Sequence, residues 1–151
     1  MLGLKMGSGP RGGSMASTGI DAYRTVRTTT ADPTTLTTML FEEAVKAMKK
    51  ARLLHERGDR QGFIGETERA MNIVGELLCS LDLTQGEIPR TLKAIYSYCL
   101  RCLVEATLGD MDKLDEAQRH IARIASAWKQ ATASLRQGTK GGRGAVTEAA
   151  A

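Results

Sequence analysis

Cys99 and Cys102 form a Cys-x-x-Cys pair. Such a pair does redox chemistry at a helix N-terminus, where the helix dipole lowers the thiol pKa. Here it falls about ten residues inside an apolar helical pattern that opens at Pro89. A structural zinc site needs four ligands, and the remaining candidates, Cys79, His55 and His120, are scattered. Glu116 and His120 stand one helical turn apart, but a di-iron bundle requires Glu-x-x-His on two helices, and that motif is absent from the chain. Serines and threonines are plentiful, yet none has a base at a spacing that would activate it. The expectation is a protein that is not an enzyme and uses no cofactor or metal. Cys99, with Cys79 as a second candidate, reads as a small core residue. His55 and His120 read as surface residues.

A chain without catalytic groups acts through its surface, so the apolar and aromatic side chains carry the question. Tyr96 falls on a buried helical stripe. Tyr98 is turned ~200° from it at 100° per residue and is the better candidate for a partner surface. In the first helix, Met39, Phe41, Val45 and Met48 widen the apolar face beyond the stripe that holds Leu40. A face wider than one contact needs can hold a further helix, and methionines adapt to varied shapes. A broad core in a compact bundle accounts for the same pattern. Trp128 sits on a core stripe and reads as a packing anchor.

The elements that position these residues are helices. Asp32 followed by Pro33 makes a start signal, a capping carboxylate before a residue that needs no N–H. Leu36, Leu40, Ala44, Ala47, Ala51 and Leu54 then recur at spacings of three or four, which predicts a helix over 33–57. Gly58 ends it and Asp59 caps the next, over 60–82, with Phe63, Thr67, Ala70, Val74, Leu77 and Leu81 on its inner face. Gly62, Gly65 and Gly75 permit close helix contact there, or soften the helix by about 1 kcal/mol each relative to Ala. Residues 83–88 are the longest internal break. A third helix follows over 89–108, and Gly109-Asp110 introduces a fourth that carries Leu114, Ala117, Ile121, Ile124, Trp128, Ala131 and Leu135. Short connections make neighbours antiparallel. The fold class is therefore all-α, an antiparallel up-and-down four-helix bundle over residues 20–135.

Composition supports one domain of that kind. The chain has 151 residues, 4% aromatics and 3 prolines, which suits a helical domain with an aliphatic core. The net charge of +4 belongs to the ends: residues 1–31 carry +3, residues 136–151 carry +2, and the middle carries −1. A nucleic-acid domain places its basic residues on one face of the folded part, so nucleic acid is not an expected partner. No segment approaches the ~20 apolar residues that span a bilayer. The absence of a secretory signal and the odd cysteine count, 3, suit the cytoplasm.

Residues 1–19 are glycine-rich and read as a disordered leader, a tag or a linker, with Met15 as a candidate natural start. Residues 136–151 read as a disordered tail. Between leader and bundle, Ile20, Tyr23 and Val26 lie at helical spacing, which predicts a short amphipathic segment that folds back on the bundle.

An ordered set of short pieces resembles the FliS family of flagellar export chaperones. Ala22-Tyr23 and Thr30-Ala31-Asp32-Pro33 resemble that family's opening, with Asp32 in place of Ser. Leu36 with Met39-Leu40-Phe41 resembles its Leu-x-x-Met-Leu-Tyr, with Phe41 in place of Tyr, and Glu42-Glu43 stand where Asp-Gly is usual. Glu76-Leu77, Ser80-Leu81-Asp82, Gly86-Glu87-Ile88, Ile95-Tyr96, Leu103-Val104-Glu105-Ala106 and Ala127-Trp128 follow in the family's order and spacing.

The resemblance implies a cytosolic helical bundle that binds the disordered C-terminal segment of flagellin. It implies that the bundle prevents premature polymerisation and presents flagellin to the gate of the flagellar type III export apparatus. It also implies that the N-terminal segment covers part of the binding surface when flagellin is absent. On the matching segments, the expected contact residues are Tyr23, Val26, Met39, Leu40, Phe41, Val45, Met48 and Tyr98. Monomer and homodimer are both compatible with this reading. The reading from another class is a regulatory bundle that binds a different protein or RNA.

Overall fold

The computed structural model describes residues 32–150, with backbone alone from 139 onward. Four helices make up this part of the chain: α1 (Pro33–Glu56), α2 (Arg60–Cys79), α3 (Glu87–Thr107) and α4 (Met111–Ala150). Each packs on two neighbours, in the closed order α1–α2–α3–α4–α1, and among the described residues no backbones approach within 8 Å across the diagonal. Side-chain pairs give the directions. Trp128 meets Thr38 near the start of α1, and Asp115 meets Arg52 near its end, so α1 and α4 are antiparallel. Glu43 with Arg69 and Lys50 with Glu66 set α1 against α2 in the same sense. The all-α, antiparallel up-and-down bundle expected from periodicity is the fold observed.

Local chemistry explains the helix ends. Asp32 caps α1 by accepting the Thr35 N–H at 3.4 Å and the Thr35 hydroxyl, and these hydrogen bonds lower its carboxyl pKa. Asp59 caps α2 by accepting the Gly62 N–H at 2.9 Å. A side chain at Gly62 would put its Cβ 2.6 Å from the Asp59 carboxylate, so this glycine serves the cap. Open space surrounds Gly65 and Gly75, which therefore serve no close helix contact. The one-residue reversals at Gly58 (φ 77°) and Gly109 (φ 117°) use a backbone conformation that only glycine adopts at low cost.

Three boundaries differ from the periodic pattern. Helix α2 stops at Cys79, not Asp82, because the Asp82 carboxylate accepts the Thr84 N–H (3.0 Å) and hydroxyl (2.6 Å) and so forms a turn. Helix α3 starts at Glu87, ahead of Pro89, because the first four N–H groups of a helix lack intrahelical partners and a proline among them costs nothing. Helix α4 continues to Ala150, where the glycines of 136–151 suggest an unstructured tail. Glycine weakens a helix, but no proline follows Pro89 to block the hydrogen-bond ladder.

The core lies on the expected stripes. Ala44 and Ala51 of α1, Ala70 and Val74 of α2, Leu103 of α3, and Leu114 and Ile121 of α4 are all completely buried. Phe63 and Tyr96 are the largest fully buried side chains. The α4 stripe is less deeply buried toward its end: Trp128 is half-buried, and Leu135 is 68% exposed. No helix among the described residues is long and apolar enough to cross a membrane.

A candidate partner-binding groove between α1 and α4

The two faces of α1 are closed differently. Against α2, the seam is sealed by ion pairs, Glu43 to Arg69 at 2.5 Å and Lys50 to Glu66 at 3.6 Å. Against α4, a groove of about 440 Å³ opens beside Val45. Ala122, Ala125 and Ser126 of α4 line it with small side chains, and Glu42, Lys46, Lys49 and Lys129 complete its walls. Lys129 meets Glu42 at 3.0 Å and Lys46 meets Glu43 at 3.0 Å. Lys49 makes no ion pair among the described residues. One turn beyond it, Leu53 is 50% exposed and continues the apolar line of Val45 along α1.

The expected contact residues fall into different places. Val45 lines the groove, and Met39 is half-buried against the core. Leu40, Phe41 and Met48 are buried, so in the free chain they are core residues and not open surface. The reason is that α1 packs on both α2 and α4, which consumes most of its wide apolar face. Phe41 stacks at a tilt on Trp128, with ring centres 6.0 Å apart, and Trp128 Nε1 donates to Thr38 Oγ1 at 2.8 Å. Trp128 thus anchors α4 to α1 below the groove. Tyr23 and Val26 lie outside the described residues. Sequence reasoning missed Ala122, Ala125 and Lys129. The signal for the two alanines was a line of small residues, Ala122, Ala125 and Ser126, at spacings of three and four, off the α4 core stripe.

Tyr98 lies on the other side of α4, in a polar cluster between α3 and α4. Its hydroxyl donates to Glu116 at 2.6 Å, and Lys113 Nζ donates to that hydroxyl at 3.3 Å. His120 meets the ring edge-on at 5.8 Å, and Arg101 lies over the ring at 5.6 Å. The hydrogen bond from Tyr98, with that from Lys113, holds the Glu116 carboxyl below its usual range. The same bond raises the Tyr98 pKa, because the phenol loses a partner when ionised. His120 is therefore half-buried against Tyr98, while His55 is exposed.

This cluster makes a prediction. A carboxyl with a lowered pKa stabilises the fold above its ordinary value of 4.5 and loses that contribution as pH falls from there through its lowered value. Tyr98→Phe is expected to lower the melting temperature at pH 7 and to lower it less at pH 3. An equal deficit at both values, measured by circular dichroism, would count against the Tyr98–Glu116 bond.

Cys99 and Cys102 lack the setting of a redox pair. Cys99 and Cys102 are buried in mid-helix, and Cys79 is exposed at the end of α2, where the early stop of that helix leaves it. Burial pushes the Cys99 thiol up to about 12 and the Cys102 thiol upward too, opposite to what a redox pair requires. No group of three or more His, Cys, Asp or Glu among the described residues is placed to hold a metal.

Comparison with known proteins places this architecture. The family model described as "Flagellar protein FliS" matches residues 16–135. The "Flagellar secretion chaperone FliS" of Salmonella typhimurium is 36% identical over 121 residues, covering 76% of this chain and 90% of that one. The protein of the same description from Escherichia coli K12 is 34% identical over 102 residues, covering 66% and 75%. That from Bacillus subtilis 168 is 32% identical over 124 residues, covering 82% and 92%. The matched span contains α1 to α3, the part of α4 that packs on them, and the groove at Val45. This chain belongs to the FliS family of flagellar secretion chaperones.

Proposed function

We propose that this chain works in the cytosol as a secretion chaperone for flagellin. It takes flagellin's disordered C-terminal segment into the α1–α4 groove, keeps it from polymerising early and delivers it to the flagellar type III export apparatus. The observation that carries this reading is family membership over nearly the whole bundle. The groove supports it physically. Its floor is small and apolar, and it runs along two helices, a shape that suits an amphipathic helix. Coupled folding of such a segment buries on the order of 1,000–3,000 Å² and offsets an ordering cost of about 2–5 kcal/mol. The chain acts by binding and not by catalysis.

Titration with a synthetic flagellin C-terminal segment, followed by circular dichroism, tests the proposal. A gain in helix with a Kd below tens of micromolar, or about −6 kcal/mol, is expected. A properly folded chain that ignores the segment at that concentration sinks it.

The segment around Ile20, Tyr23 and Val26 enters the same proposal as an internal competitor for this surface. Deleting residues 1–27 is expected to raise flagellin-segment affinity several-fold in calorimetry. Unchanged or weaker binding removes the competitor and leaves the chaperone reading intact.

A further inference from the structure

We infer that the α1–α4 groove selects its guest by charge, taking an amphipathic helix whose apolar stripe is flanked by carboxylates. This rests on the groove being a guest site, as proposed above, and adds what kind of guest it accepts. Three ammonium groups, Lys46, Lys49 and Lys129, and one carboxylate, Glu42, line it, an excess of +2 in a chain whose middle carries −1. The basic excess thus belongs to the lining of the groove and not to the bundle as a whole.

The geometry directs those charges at a guest. Val45 and Ala125 form an apolar floor, and long lysine side chains cover such floors with their methylene stems while keeping their charged ends at the rim. A helix lying along the floor presents its flanking residues to that rim. The small Ala122 and Ala125 side chains let its axis come close, so large apolar residues on the guest fill the volume.

The existing ion pairs leave capacity for this. The side chains of Lys46 and Lys129 are 69% and 58% exposed, so their pairs with Glu43 and Glu42 are solvent-screened and easily shared. Lys49 has no competing ion pair among the described residues. A guest flanked by Lys or Arg would meet like charge on both walls, and such juxtaposition selects against it.

Two synthetic helical peptides with one apolar stripe, flanked either by Glu or by Lys, test the inference on the full chain. Calorimetry gives the affinities, and amide shifts at Val45, Ala122 and Ala125 report the site. The Glu-flanked peptide is expected to bind about 10-fold more tightly at low salt, equivalent to about 1.4 kcal/mol. This advantage should shrink at high salt. K46E/K49E/K129E is expected to reverse the order. K46Q/K49Q/K129Q, which keeps the stems and removes the charge, is expected to erase the preference, and it stands as the test if the reversal does not fold.

Equal affinities in the unaltered chain, shifts outside the groove, or a preference that survives the glutamine variant would overturn the inference. The flagellin C-terminal segment, run alongside, separates this failure from that of the proposed function. If flagellin shifts Val45 and the two peptides bind alike, charge selection fails and the chaperone reading stands. If the Glu peptide is preferred in the groove and flagellin shifts nothing, the reverse holds.

Discussion

Filling the groove is expected to abolish the chain's hold on flagellin while leaving the bundle folded. Ala122→Phe combined with Ala125→Phe places two rings in the 440 Å³ space beside Val45, where the guest helix would lie. Neither alanine is fully buried, so the rings extend into the groove and do not force apart the core. The affinity for the C-terminal segment should fall by at least ~100-fold, about 2.8 kcal/mol. The melting temperature should stay within a few degrees. Calorimetry and thermal unfolding together make the test. A folded double variant that binds flagellin as before would show that the segment uses another surface, such as the α3–α4 face at Tyr98.

The second large effect concerns stability at high pH. Burial raises the Tyr96 phenol from 10.0 to about 12, with a smaller push from Cys99 beside it. Burial likewise raises the Cys99 thiol from 9.0 to about 12. Both groups are neutral when protonated, so the folded chain keeps their protons where the unfolded chain loses them. Stability is therefore whole below pH 9 and falls as pH rises from there toward 12. Each unit of difference corresponds to about 1.4 kcal/mol. The two groups are neighbours and their effects do not add, so a loss of about 3 kcal/mol is expected between pH 8 and pH 11.

Urea unfolding at those two values measures the loss. Tyr96→Phe with Cys99→Ala should flatten most of it, at the cost of a modest drop at neutral pH. Lys113, held charged above its usual range by hydrogen bonds to Tyr98 and Glu116, adds a loss of the same sign. The comparison of slopes isolates the buried pair from it. An unaltered alkaline slope in the double variant would mean that the loss originates elsewhere.

Helix content and direction were legible because they depend on local rules. Asp32-Pro33 and Gly58-Asp59 announce helix ends through backbone chemistry within a few residues, and the apolar spacing of Leu36 to Ala51 places a buried face. The stop at Cys79 and the start at Glu87 were less legible. The stop depends on whether Asp82 bonds to its own turn or lets the helix continue, and the start on how many first-turn residues precede Pro89. The role of Cys79 changed with that boundary, from candidate core residue to exposed thiol.

The amino-acid order alone determined that this is a bundle of four antiparallel amphipathic helices, with the FliS pieces in FliS order. Spacing at three and four residues decides which face of a helix avoids water, whatever lies opposite. Only the tertiary structure decided how that face is shared among neighbours. It buried Phe41 and Met48, tied Tyr98 to Glu116, and left Val45 open above Ala122 and Ala125. Those outcomes depend on how closely α4 approaches α1, and that distance is set by residues about 80 positions apart, beyond the reach of any local pattern.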